Sequence, residues 1–309
     1  MTEPTRPRAR ACPVCGALNG AEFDRCIRCG VDLADAAARV RPRPSAPEPR
    51  ATLPATFFLA GITLVVFAGQ VFGELASTHR VPVLSASPYE ALRFGALVLS
   101  PAAVAAEPWR ALSAVYVHFG LLHFALNMLA FFSLARIAEP AVGFGRFTTA
   151  YVVSGLVGFG VDAARSVLFG AAFGITAGAS GAIFGVMGLI LGWLLRRRDP
   201  RWKQFAVQAV VYSLLFGFAV NSFSSAIRID NTAHVGGLVV GVLFGIVYAG
   251  PRRAPEALVR AGGILCIAAS VASLALAQAS SLPRLVARQQ AADDGATTAP
   301  ADTSDTSPP

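Results

Sequence analysis

Apolar residues along this chain fall in long uncharged runs separated by short charged punctuation, the pattern of helices that cross a bilayer. The runs occupy residues 51–73, 111–135, 166–195, 204–227, 231–250 and 261–283. Each is near or above the roughly 20 residues that span hydrocarbon. A shorter run over residues 147–161 ends at Asp162. Residues 166–195 are long and glycine-rich, so the pattern predicts one span over residues 147–169 and a turn near residues 174–178 before the next. Seven helices result.

Composition agrees with this. Only 14% of the 309 residues are charged, where a soluble domain carries about 25%. With 54% hydrophobic residues and 5 cysteines, the chain is neither a disordered polymer nor a secreted disulfide scaffold. The formal net charge is +8, and its distribution predicts orientation, because Lys and Arg near span ends are retained in the cytoplasm. With the amino terminus inside, 14 basic residues from Arg39 to Arg260 flank spans on the inner side and 7, including Arg80 and Arg165, lie outside. The first fifty residues are polar, so no cleavable signal peptide is expected before the first span. The tail, rich in Ala, Thr, Ser, Pro and Asp, is expected to be disordered and outside.

The polar beginning carries Cys12-Pro-Val-Cys15-Gly and, ten residues on, Cys26-Ile-Arg-Cys29-Gly. Each Cys-x-x-Cys turn aims two thiolates at one ion, and the trailing glycine lets backbone N–H groups turn toward the sulfurs. Four soft ligands suit a structural, tetrahedral Zn²⁺, whose binding would supply the folding free energy that about twenty residues cannot. A disulfide pair, disfavoured by a reducing cytosol, or iron in a rubredoxin-like centre is the alternative. The segment resembles the zinc-ribbon modules at the front of many bacterial membrane proteins. Its arginines read as a solvated basic surface, and no nucleic-acid partner is expected. Residues 1–33 are thus a zinc ribbon and residues 34–50, rich in Pro and Arg, a linker.

Within the spans, polar residues are informative because each is costly in hydrocarbon. Four stand out: His123 and Asn127 in the second span, Ser180 at the head of the fourth, and His234 at the head of the sixth. The second, fourth and sixth spans all run from outside to inside. Ser180 precedes Arg196 by 16 residues and His234 precedes Arg252 by 18, which places both roughly 24 to 27 Å above the cytoplasmic charges. A serine becomes nucleophilic when an imidazole within hydrogen-bond reach takes its proton. Asp162 and Asp230 lie near outer span ends, so the expectation is a dyad of Ser180 as nucleophile and His234 as general base. His123 and Asn127, spaced i and i+4, share a helical face and could stabilise an oxyanion, joined by the Ser180 backbone N–H at a helix start.

Glycines allow those helices to approach. Gly237, Gly241 and Gly245 recur every four residues in the sixth span, and Gly181 and Gly185 do so in the fourth, giving small-residue faces. Phe184, one turn after Ser180, would stack on the His234 ring. His118, His123, Asn127, Ser180 and His234 could line a water-filled pocket open to the outside. Taken singly each feature has a plainer reading. Gly-Ala-Ser-Gly is often a packing motif, Trp109 with Arg110 an interfacial anchor, Glu139 with Arg146 a loop charge pair, and Cys266 a small buried hydrophobe.

Jointly, residues 51–250 resemble the rhomboid intramembrane serine proteases. The resemblance rests on Trp109-Arg110, His118 with His123-x-x-x-Asn127, Glu139, Gly143-Phe-Gly-Arg146, Gly178-Ala-Ser180-Gly181, and Ala233-His234-Val-Gly-Gly237 with Gly241. It implies an all-α polytopic membrane protein with a six-helix rhomboid core over residues 51–250. A seventh transmembrane helix over residues 251–285 gives a six-plus-one arrangement, followed by a tail over residues 286–309. The family's catalytic Ser and His and its oxyanion-stabilising His and Asn carry over to Ser180, His234, His123 and Asn127. His118, Phe184, Trp109, Arg110, Gly178, Gly181, Gly237 and Gly241 take supporting places. Phe184 stands where the family often has Tyr.

The implied substrate is a single-pass membrane protein cut in or near its transmembrane segment, in a bacterial plasma membrane, with the zinc unneeded for the peptidase chemistry. The loop over residues 74–110 is expected to lie partly in the outer leaflet. A non-cutting adaptor that binds transmembrane clients is the alternative, but binding alone needs neither Ser180 nor His234. A channel or transporter would show inverted repeats and intramembrane charge, which are not evident here.

Overall fold

A computed structural model describes residues 9–12, 14, 16–33, 52–79, 81, 87–170, 174–223, 231–251, 254–286 and 288, with backbone alone at residues 212 and 214–223. The linker, residues 289–309 of the tail, Cys15, Asp230, Arg252 and Arg253 lie outside the described residues. The chain divides into two compact units, Met1–Ala51 and Thr52–Pro309.

The first unit is built on two similar turns. Strands β1 (Arg10–Ala11) and β2 (Leu18–Asn19) pair antiparallel, Arg10 opposite Asn19. After β1, Gly16 N–H donates to the Cys12 carbonyl at 2.9 Å, and Gly30 N–H repeats this toward Cys26 at 2.9 Å. Gly16 and Gly30 hold φ of 71° and 72°, the left-handed conformation that a Cβ disfavours. Asn19 ties the turns together, donating to the Ala17 carbonyl and accepting from Ile27 N–H. Cys12, Cys26 and Leu33 form its small buried centre.

The second unit is helical. Its long helices are α1 (Pro54–Thr78), α5 (Leu121–Val142), α6 (Phe144–Phe169), α7 (Ser180–Arg196), α8 (Arg201–Phe223), α9 (Asn231–Tyr248) and α10 (Glu256–Ala279). Between α1 and α5 lie short helices α2 (Pro88–Phe94), α3 (Pro101–Ala106) and α4 (Arg110–Ser113), the last running into a 3₁₀ turn, Ala114–Tyr116. Among the described residues, five helices are long and apolar enough to cross a membrane and Ser180–Arg196 is a shorter apolar one. The chain is an all-α polytopic membrane protein.

Two boundaries differ from the hydropathy pattern. The second span begins at Leu121 instead of at residue 111, because Gly120, at φ 148°, separates the 3₁₀ turn from α5. Apolar character alone cannot register such a backbone break. The other difference is the turn at residues 174–178, which is where expected but contains a strand, β4 (Ile175–Thr176), paired antiparallel with β3 (Leu97–Val98). This non-helical backbone is packed inside protein, where its peptide groups find partners that lipid could not offer. At 17 residues, α7 is about 25 Å long, short of the roughly 30 Å hydrocarbon thickness.

Helices α7 and α9 cross with their backbones nearly touching. A Cβ at Gly241 would overlap the Gly185 carbonyl oxygen, one at Gly237 that of Gly181, and one at Gly245 that of Leu189. Gly185 faces the other way, and its Cβ would strike the Ser154 side chain on α6. The small-residue faces in the sequence therefore mark a three-helix contact around α7, as packing without a hydrophobic driving force requires.

Several polar residues act differently from their simplest reading. Glu139 and Arg146 do not pair. Glu139 is buried and accepts from Ala55 N–H and Thr56 N–H, each at 2.9 Å, and from the Thr56 hydroxyl at 2.5 Å. It caps the unpaired first-turn amides and positive dipole end of α1, which begins with Pro54 and has no capping side chain of its own. Arg146 instead bonds Glu256 at 3.0 Å, joining α6 to α10. Arg110 is no interfacial anchor: it is 1% exposed and donates to the Leu92 and Ala96 carbonyls and to Glu107. Those carbonyls end α2 beside the Gly95 turn, so a buried guanidinium organises the first loop. Beyond α7, the Arg201 guanidinium and N–H donate to Asp199, holding its half-buried carboxyl down to about 2.

Candidate active site

Ser180 is the first residue of α7 and His234 lies in the first turn of α9. Because the glycine faces bring those two helix beginnings together, the side chains meet: Ser180 Oγ is 2.7 Å from His234 Nε2. His234 is 9% exposed, so the contact is largely screened from lipid and solvent. The imidazole rests on Phe184, ring centroids 4.3 Å apart and planes 6° from parallel. Stacking fixes the ring plane, and the hydrogen bond fixes its rotation within that plane.

His123 approaches the same point from α5. Its Nδ1 accepts from Phe119 N–H at 3.3 Å, which assigns the proton to Nε2. That Nε2 lies against Gly178, where a Cβ would be 3.0 Å from it and 3.8 Å from Ser180 Oγ. Gly178, at φ 138°, thus leaves a space bounded by the His123 donor and the serine. Asn127 is 1% exposed and spends one amide hydrogen on the His123 carbonyl at 2.8 Å, leaving its second N–H for another acceptor. The Ser180 and Gly181 amides, at the start of α7, have no carbonyl one turn back within the helix.

His118 is fully buried, at 0% exposure. Its Nδ1 lies 3.3 Å from the Tyr116 carbonyl and its Nε2 3.5 Å from Ala179 N. Its ring sits 5.0 Å from that of His123. Trp109 is the N-cap residue of α4, next to Arg110. Two contributors were not apparent in the sequence. Gln70, the one amide side chain in the first span, brackets the His118 peptide. Tyr116, fully buried, bonds Ser270 of α10 at 2.8 Å. An amide amid a wholly apolar run was the available signal for Gln70; Tyr116 had none.

A family model, the rhomboid domain, matches residues 105–251, the stretch that holds every one of these residues except Gln70 and Ser270. That stretch is similar to the rhomboid domain. The chain is 36% identical over 138 residues to the rhomboid protease GluP of Bacillus subtilis, covering 44% of this chain and 25% of that protein. Over 169 residues it is 34% identical to RHOMBOID-like protein 1 of Arabidopsis thaliana, covering 54% and 41%. A rhomboid-like protease 5 of Toxoplasma gondii is 32% identical over 143 residues, covering 45% and 16%. The chain thus spans less than half the length of these three relatives.

In the amino-terminal unit, Cys12, Cys26 and Cys29 have their sulfurs within 4.8 Å of one another. Cys12 and Cys29 sulfurs are 3.7 Å apart, close to the roughly 3.8 Å edge of a tetrahedron with 2.3 Å zinc–sulfur bonds. Arg28 N–H points at Cys26 Sγ from 3.4 Å, the kind of donor that stabilises a metal-bound thiolate. These residues can hold a metal ion.

Proposed function

We propose that the chain is an intramembrane serine endopeptidase in which Ser180 is the nucleophile and His234 its general base. The observation that carries the reading is the 2.7 Å contact between Ser180 Oγ and His234 Nε2 inside a membrane-embedded helix bundle. In the first step His234 Nε2 takes the hydroxyl proton as Oγ attacks a substrate carbonyl. The developing oxyanion is met by His123 Nε2–H, the second Asn127 N–H and the Ser180 backbone N–H. His234 then gives its proton to the leaving amine, and water, activated by the same imidazole, releases the acyl group. Phe184 keeps the imidazole in plane through both transfers.

The substrate class is a single-pass membrane protein cut in or near its transmembrane segment. The positive-inside count supports a cytoplasmic amino terminus, a site opening to the outside and an outside carboxyl terminus; residence in a bacterial plasma membrane rests on the resemblance of the amino-terminal segment to bacterial zinc-ribbon modules. Residues 1–33 are read as a ribbon holding one structural Zn²⁺, with Cys15 as fourth ligand, residues 34–50 as a linker and residues 286–309 as a disordered tail. A non-cutting adaptor would have no use for the serine–imidazole contact.

The test is cleavage of a model transmembrane substrate by purified protein in liposomes. Loss of cleavage in both Ser180→Ala and His234→Ala is expected. Undiminished cleavage in either removes the dyad, and an inert parent protein leaves the adaptor.

A further inference from the structure

Gln70 lies in α1 and is fully buried. Its Nε2 donates to the His118 carbonyl at 3.0 Å and its Oε1 accepts from His118 N–H at 3.1 Å. One side chain thus gives His118 the paired donor and acceptor that a neighbouring strand would give. The peptide needs it, because His118 falls between the 3₁₀ turn and α5, where no helix satisfies its N–H and C=O.

The His118 ring is then fixed from within. A proton on Nδ1, directed at the Tyr116 carbonyl 3.3 Å away, leaves Nε2 as an acceptor facing Ala179 N–H. Gly178 N–H donates to the Ala114 carbonyl at 2.9 Å. Residues 114–118 are therefore the template on which residues 178–179, immediately before Ser180, are laid. Behind the same ring stands His123, centroids 5.0 Å apart.

We propose that Gln70 is a positioning residue of the active site: by clamping the His118 peptide it sets where the Gly178–Ala179 backbone, and hence Ser180, stands relative to His234 and His123. The inference rests on the serine-peptidase reading. Gln70 touches no reacting atom and acts only through His118. A side chain that merely stabilised the bundle would lower the folded fraction without changing the reactivity of the folded molecules.

The test compares the full chain with Gln70→Leu and Gln70→Glu in detergent and liposomes. Melting temperature, fluorophosphonate labelling rate of Ser180, and kcat and KM on a model transmembrane substrate are measured for each. For folded Gln70→Leu, labelling rate and kcat are expected to fall together by about tenfold or more with KM within about twofold, since small misplacements of reacting groups act on the chemical step. Buried Gln70→Glu is neutral, keeps a carbonyl for His118 N–H and an O–H for its carbonyl, and should recover both rates to within about threefold of the parent.

A folded Gln70→Leu that labels and turns over like the parent overturns the proposal, as does a folded Gln70→Glu no faster than Gln70→Leu. If Gln70→Leu does not fold, Gln70→Asn, which withdraws the amide by one methylene, takes its place with the same expectation. A parent in which Ser180 is neither labelled nor needed for cleavage overturns the serine-peptidase reading itself, and this inference with it.

Discussion

Phe184 and His234 lie face to face with ring planes 6° apart and centroids separated by 4.3 Å, one turn beyond the 2.7 Å contact between His234 and Ser180. The stack and the hydrogen bond constrain the imidazole in complementary directions. Aromatic pairs of this kind contribute about 0.5–1.5 kcal/mol beyond area burial. Phe184→Ala is therefore expected to lower kcat by roughly two- to tenfold, with Ser180 labelling slowed in parallel. Phe184→Tyr, which retains the stacking face, should stay near the parental rate, and a Tyr variant as slow as Ala would contradict this account of the ring.

Glu139 predicts a stability effect remote from chemistry. Its carboxylate accepts three hydrogen bonds from the start of α1. Glu139→Ala would leave two buried amides without their acceptor, at a cost of about 2–4 kcal/mol. The expected readout is a lower melting temperature in detergent, with the Ser180 labelling rate of the molecules that remain folded close to parental.

The α7–α9 crossing gives a paired test. Gly241→Ala sets a Cβ against the Gly185 carbonyl and should cost about 1–3 kcal/mol, because backbone cannot give way as a side chain does. Gly61→Ala in α1 meets nothing within 4 Å and should be neutral or slightly stabilising, by up to about 1 kcal/mol. Equal melting temperatures for the two variants would argue against close helix contact.

For the amino-terminal unit, purified chain should carry about one zinc per molecule by elemental analysis, as expected of a four-cysteine site. Cys26→Ser should lose most of it. Chelation should expose residues 9–33 to protease, because the metal provides the folding free energy of so small a unit. Cleavage of a transmembrane substrate should continue after chelation, since no step of the proposed chemistry passes through the metal.

Much of this molecule was legible in one dimension because the bilayer is a demanding solvent. It forces apolar runs into helices, makes every intramembrane polar residue conspicuous, and permits backbone approach only where glycines recur. Ser180, His234, His123 and Asn127 stood out on those grounds, and so did the glycines that unite α7 with α9. Two Cys-x-x-Cys turns announced a candidate metal site equally directly, and Cys12, Cys26 and Cys29 do come together, since thiolate geometry is set within a few residues.

What the chain order could not express was partnership between distant polar groups. Glu139 and Arg146 looked like a pair because they are near in sequence, yet one caps α1 and the other reaches α10. Arg110 looked like a surface anchor and is buried among carbonyls. Gln70 meets His118 across 48 positions of chain. A buried hydrogen bond depends on which donor and acceptor are brought together once helices pack, and the one-dimensional pattern of apolar residues carries no record of that meeting. The sequence by itself determined which segments enter the membrane and which residues are chemically able to react. Tertiary packing alone decided which of them touch.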